Sequence, residues 1–268
     1  LTRGGDICLY VLNRIGLEVD RASFVGLLPI LNSYKFAGYV NDPQVLALDW
    51  LVKNIIEYLP IYLSQGPRGL RANLNMYYYT QTIHTQYTIY TSGEFEQITG
   101  LQPLDIPKVN RLRLKFCYEG EFDRYLATVG VGLPKPKDVQ QATVFPNITI
   151  TTRPETVMVI NSQEADTSAD RFGTQDEVIS VPFVWDFDTA IKIAQDRVRE
   201  RALGTTAIEF EAVGRYGYLL VGDIIALNSE ELGLVNHKSQ VIQKSWSNGK
   251  WRFVIQLETN TIINQRTM

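Results

Sequence analysis

Near its C-terminal end the chain carries Asn248-Gly249 between two runs, residues 240–246 and 250–257, that alternate apolar and polar side chains. A type I′ turn requires positive φ at both central residues, and Asn-Gly accepts that geometry more readily than other pairs. An antiparallel hairpin is therefore fixed here, and it sets the β-rich character of the last 90 residues. That segment also contains one clear helix signal, residues 186–201. Asp186 or Asp188 is placed to cap it, Phe187, Ala190, Ile191, Ala194 and Val198 form its inner face, and Lys192, Asp196, Arg197 and Glu200 turn to water.

The N-terminal part reads differently. Ile7, Cys8, Val11, Leu12 and Ile15 recur at helical spacing and Gly16 offers a stop. A second short helix is expected from a cap at Asp20, limited by Pro29. A third is expected from Asp42 and Pro43, with Val45, Leu48, Val52, Ile55 and Leu59 as its stripe up to Pro60. Beyond Pro60 the period changes to two. Residues 61–63 and 69–74 around Gly66-Pro67 read as a hairpin, and residues 77–80, 87–90, 111–116 and 156–160 as strands. Residues 91–108 and 120–153, rich in Gly and Pro, read as irregular connections, and residues 161–170 as a polar linker.

These elements predict an α+β fold of antiparallel sheets and a β-barrel-like module with a few helices packed on them. Two modules are expected, residues 1–100 with helices on an antiparallel sheet, and residues 101–268 with the long helix and a barrel-like end. A domain drawing strands from both halves is also compatible with the pattern. A length of 268 residues suits one large or two ordinary domains. The absence of an initiator Met predicts a fragment or a processed chain; no signal peptide is recognisable, and no apolar run reaches the roughly 20 residues of a membrane span.

Little in the chain suggests bond-making chemistry. Gly-rich phosphate loops, zinc spacings and nucleophile motifs are missing. His84 and His237 stand apart from other ligand-type residues, and Cys8 and Cys117 sit in apolar surroundings as small hydrophobes. Carboxylates cluster at Glu94 and Glu96, at Glu119, Glu121 and Asp123, and from Glu164 through Asp166, Asp170 and Asp176 to Glu177. Glycoside hydrolysis needs two acids facing each other across a cleft, which sequence clustering does not supply. Arg111, Arg113 and Lys115 alternate along a strand and read as its solvated face. The net charge of −3 also speaks against a nucleic-acid binder. No catalytic, cofactor-binding or metal residue is assigned, and the chain is expected not to be an enzyme. The 14 tyrosines, with a run at Tyr77-Tyr78-Tyr79, favour a chain that contacts something, either a sugar or a neighbouring subunit.

The order of elements from Ser168 resembles the tail hub proteins of bacteriophages. The resemblance is carried by Ser168-x-x-Arg171-Phe172-Gly173, a short strand, Asp188-x-Ala190 opening a helix, a further strand, Leu220-Val221-Gly222-Asp223 and the closing hairpin. In the first 75 residues Gly5-Asp6-Ile7 with Leu12 through Leu17, residues 42–59, and Gly69-Leu70-Arg71 are similar to that family's preceding module. Residues 91–155 match nothing in it. The resemblance implies a homotrimeric ring at the tail tip or baseplate hub that closes the tail tube and holds fibres or a spike. Its implied partners are tube, distal tail and fibre or spike proteins, with DNA passing through the lumen without specific binding. A mildly acidic chain suits such a passage. The implied location is the virion, after synthesis in the host cytoplasm. A receptor- or carbohydrate-binding tail module and, further off, a cell-wall hydrolase remain as alternatives.

Overall fold

The computed structural model describes residues 2–38, 46–76, 87–90, 98–105, 107–132, 156–160, 162–202, 206–212, 214–230 and 232–257. In chain order these form helices α1 (Gly4–Arg14), α2 (Arg21–Leu31) and α3 (Ala47–Asn54), followed by strands β1 (Ile61–Gly66), β2 (Gly69–Leu74), β3 (Tyr87–Tyr90) and β4 (Ile98–Asp105). Strands β5 (Arg111–Glu119), β6 (Arg124–Val131) and β7 (Thr156–Ile160) come next, then α4 (Gln163–Phe172), β8 (Asp176–Ser180) and α5 (Phe187–Arg201). The last four strands are β9 (Thr206–Ala212), β10 (Ile224–Ser229), β11 (Leu234–Ser247) and β12 (Lys250–Leu257). The class is α+β. Among the described residues no helix is long and apolar enough to cross a membrane. The chain divides into two compact units, and the division falls at no single point in the sequence. One unit takes Leu1–Gly16, Gly26–Leu59 and Lys108–Leu203, the other Leu17–Val25, Pro60–Pro107 and Gly204–Met268.

The first unit is built on a sheet ordered β7-β6-β5-β8, in which β5 is antiparallel to β6, while β5–β8 and β6–β7 are parallel. Strict alternation on β5 buries Leu112, Leu114 and Phe116 on one face and leaves Arg113 and Lys115 exposed on the other. Helix α5 packs on the apolar face, with Phe187 meeting Phe116 edge-on at 4.8 Å. Its inner line is Ala190, Ile193, Ala194 and Val198, so Ile193 rather than Ile191 enters the core. The Asp186 carboxylate accepts hydrogen bonds from the Thr189 amide at 3.1 Å and the Thr189 hydroxyl at 2.9 Å. Asp186→Ala is expected to cost about 1 kcal/mol, read as a lower denaturant midpoint; an unchanged midpoint would show the cap to be dispensable. The expected solvent face of α5 is partly covered. Tyr34 donates to Asp196 at 2.5 Å, Lys192 donates to the Ser33 carbonyl, and Arg197 and Arg201 pair with Glu177.

Several expectations change here. Pro29 lies inside α2, which runs on to Leu31. The third helix closes at Asn54 and a 3-10 turn, Ile56–Tyr58, follows. It buries Leu51 and Ile55, whereas Val52 is 42% exposed, so the inner line is displaced by one residue from the stripe read in the sequence. Asp42, Pro43 and Val45 lie outside the described residues. The segment expected as a linker forms α4, capped by the Ser162 hydroxyl accepting from the Ala165 amide. Its buried face offers Ala165 and Ser168, too little apolar surface to betray a helix by periodicity. Part of the second irregular connection is β6; residues 133–155 lie outside the described set.

The second unit holds the hairpin β1–β2, closed over Pro67-Arg68, and a six-stranded sheet ordered β3-β10-β11-β12-β9-β4. All of its pairings are antiparallel except that of β3 with β10. Asn248 and Gly249 have φ of 52° and 77°, so the hairpin turn is formed as the dipeptide demands. Ile208, Phe210, Leu227, Val241, Phe253 and Ile255 build the core. The expected barrel-like closure is not there: among the described residues the sheet is open, with β3 and β4 as its edges. Strand β4 replaces part of the first expected irregular connection. Its edge position tolerates Pro103, whose missing N–H need not serve a second neighbour. The tyrosines 77–79 lie outside the described residues.

Candidate functional site

In the second unit, polar side chains converge on the turn that ends at Asp223. One Asp223 carboxylate oxygen lies 3.1 Å from the Arg71 guanidinium and the other accepts from the Leu220 amide at 2.8 Å. Asn73 accepts from Arg71 Nε at 2.9 Å and donates to the Val221 carbonyl at 2.9 Å and to Ser64 Oγ at 3.1 Å. Gln240, fully buried, donates to the carbonyls of Leu74 and Gly222 at 2.8 and 3.1 Å, and accepts from the Met76 amide at 2.8 Å. Lys244 donates to the Gly217 and Leu219 carbonyls at 2.6 and 2.8 Å, and its ammonium stands 4.1 Å from the Trp251 ring centre. The two strands of the hairpin are thereby bolted to the turn and to β11. Each charge and amide is engaged, and so the cluster works as a joint.

Burial raises the Asp223 carboxyl above its ordinary value, against the opposing pull of the Leu220 amide and Arg71. Burial likewise lowers the Lys244 ammonium, offset in part by Asp223. Neither group faces a cleft. The sequence pointed to Gly222-Asp223 but not to Arg71, Asn73, Gln240 or Lys244. A glutamine amid the apolar residues of 239–242 was the one available sign, since a buried amide must find partners.

The acids singled out in the sequence go elsewhere. Glu119 pairs with Arg124 at 2.7 Å and Asp123 accepts from Tyr118 at 2.8 Å, both beside an exposed turn. Asp176 lies 3.5 Å from Arg111, Glu177 holds Arg197 and Arg201, and Asp166 and Asp170 are exposed on α4. Glu94, Glu96, His84 and the Glu164 side chain lie outside the described residues. His237 is half-buried, with Nδ1 3.5 Å from Ser239 Oγ. Among the described residues no three His, Cys, Asp or Glu side chains gather as a metal site.

The cysteines differ in environment. Cys8 is fully buried and burial pushes its pKa up to about 12, while Cys117 is only half-buried and raised by the same cause. A maleimide at neutral pH is expected to add rapidly to Cys117 alone in the folded chain, and to both thiols after denaturation. Rapid double labelling of the native protein, read by mass, would contradict the packing around Cys8.

Two cavities remain. An apolar one of about 410 Å³ in the first unit is lined by Ile7, Tyr10, Val11, Phe36, Trp50 and Phe183 among others. A polar one of about 250 Å³ in the second unit lies over Glu209, Gln243, Ser245, Arg252 and Val254, where Arg252 and Glu209 are paired. The second unit also exposes a run of rings. Trp246 packs against Trp251 at 4.7 Å, and Tyr218 against Tyr87 at 4.8 Å, with Gly217 against Trp251 between them.

No family model matches the chain, and no curated protein matches it. Among solved structures it is similar to the 43 kDa tail protein of prophage MuSo2 from Shewanella oneidensis, at 12% identity and a TM-score of 0.44, covering 96% of this chain and 66% of that one. It is similar to the prophage tail protein gp18 of Listeria monocytogenes EGD-e, at 10% identity and a TM-score of 0.37, covering 86% and 57%. A third is a chain of the p2 virion baseplate in its activated conformation, at 11% identity and a TM-score of 0.26, covering 84% and 57%. Two are thus prophage tail proteins and one belongs to a virion baseplate, the class to which the sequence resemblance points. The chain spans 57–66% of the length of these proteins.

Proposed function

We propose that this chain is a structural subunit of a phage tail tip or baseplate hub. Three copies form a ring that closes the tail tube, contacts tube, distal tail and fibre or spike proteins, and lets DNA pass without specific binding. It is made in the host cytoplasm and carried in the virion, and it catalyses no reaction. The observation that carries this reading is the joint at Asp223. The turn on which the family resemblance rests is a closed, fully bonded fastening of a hairpin to a sheet, the kind of rigidity a scaffold needs. The test is gold-labelled antibody against the chain on purified particles. Label at the tail tip is expected; particles that lack the chain would overturn the reading.

The exposed rings favour a second reading, a tail module that grips surface glycans. Trp246 is 54% and Tyr218 48% exposed, and such rings present an apolar face with a polar edge. If they hold sugar, Trp246→Ala with Tyr218→Ala lowers retention on host envelope polysaccharide about tenfold or more. Equal retention of variant and wild type removes this reading.

A further inference from the structure

Two of the three pairings in the sheet of the first unit are parallel. Parallel pairing occurs almost only where both faces of a sheet are covered. One face lies under α5. On the other, Val159, Gly130, Arg113 and Val178 stand in one row across the four strands, and the two valines are 40% and 59% exposed. Arg113 and Lys115 project from this face and are exposed, and among the described residues neither has an acidic partner.

Helix α4 carries the complementary pattern. Asp166 and Asp170 are exposed one turn apart and bind no cation among the described residues. Like charges at that spacing weaken a helix by a few tenths of a kcal/mol, so a counter-charge is wanted. Alternate residues of a strand lie about 6.6 Å apart, and four helical residues rise about 6 Å. The two charged pairs are thus matched in spacing as well as in sign. A ring is made of contacts in which one patch meets a different patch of the next copy, as this pairing would require.

We propose that the open face of the four-stranded sheet docks α4 of a second copy, Arg113 and Lys115 meeting Asp166 and Asp170 while Val159 and Val178 are covered. The contact deepens the ring assembly proposed above and rests on it. The test is sedimentation of the full chain across concentration, at low and high salt, with circular dichroism confirming that each variant is folded. Arg113→Glu with Lys115→Glu, and separately Asp166→Lys with Asp170→Lys, are each expected to raise the association midpoint about tenfold or more. The four changes combined should restore it, because the swapped charges again oppose. Assembly unchanged by either pair overturns the docking and leaves the tail reading to the antibody label. A wild type that stays monomeric at every concentration also overturns it. So does duplex DNA bound through Arg113 and Lys115 with assembly unaffected, which would give the face to nucleic acid.

Discussion

Asp223→Ala is expected to destabilise the unit built on the six-stranded sheet by about 3–4 kcal/mol, the cost of removing one partner from a buried ion pair. The Asp223 side chain is 2% exposed and that of Arg71 22%, so water can reclaim the guanidinium only in part. The Leu220 amide loses its acceptor as well. Asp223→Asn keeps size and an acceptor oxygen and should cost less. Its pH dependence carries a definite sign. Burial raises the folded carboxyl above its ordinary 3.8, so the group's contribution is fully present below that value and is lost as pH rises through the raised one. The stability gap between wild type and Asp223→Asn, from urea midpoints across pH, should therefore narrow as pH rises. A widening gap would mean that the pair with Arg71 outweighs desolvation. A cost below 1 kcal/mol for the alanine variant would mean the joint is ornamental.

In the first unit the largest effect is expected at Gly132. Its φ is +66°, and a Cβ built there falls 2.0 Å from the Asn110 carbonyl oxygen and 3.0 Å from the Ala165 methyl. Asn110 cannot retreat. Its side chain donates to Ser168 at 3.1 Å and to the Gly173 carbonyl at 2.8 Å, and accepts from the Gln175 amide at 2.8 Å. Left-handed backbone and overlap with a fixed main chain together place Gly132→Ala at about 3–5 kcal/mol. Gly249→Ala is the matched control. Its φ is also positive, at +77°, but nothing lies within 4 Å of the added carbon, so only the backbone cost of about 1 kcal/mol applies. Equal midpoints for the two variants would show that the Asn110 contact yields.

What the sequence disclosed, and what it hid, follows from where the information lies. The hairpins were legible because turn chemistry is local: Asn248-Gly249 and Gly66 to Gly69 specify their own geometry. Helix α5 was legible by period, yet its outer face was misread, because the partners of Lys192 and Asp196 are Ser33 and Tyr34, about 160 residues away in the chain. Helix α4 escaped notice since a face of Ala165 and Ser168 has no hydrophobic signature. Strand β4 was concealed by Pro103, a residue that argues against a strand except at an edge, and edges are a property of the assembled sheet. The joint at Asp223 shares this limit. Gly222-Asp223 marks a turn, but Arg71 and Gln240 join it only after the sheet and hairpin have met.

The position of β12 between β11 and β9 bears on how the protein is born. This strand is the last of the sheet to leave the ribosome, yet it supplies the middle. Until residues 250–257 emerge, β9 has only β4 beside it and β11 only β10, so two bare rows of N–H and C=O groups face outward on the nascent chain. Such rows are templates for foreign strands. Synthesis halted before residue 250 should yield aggregates, and the two residues of the final turn act as the clasp that zips both halves shut.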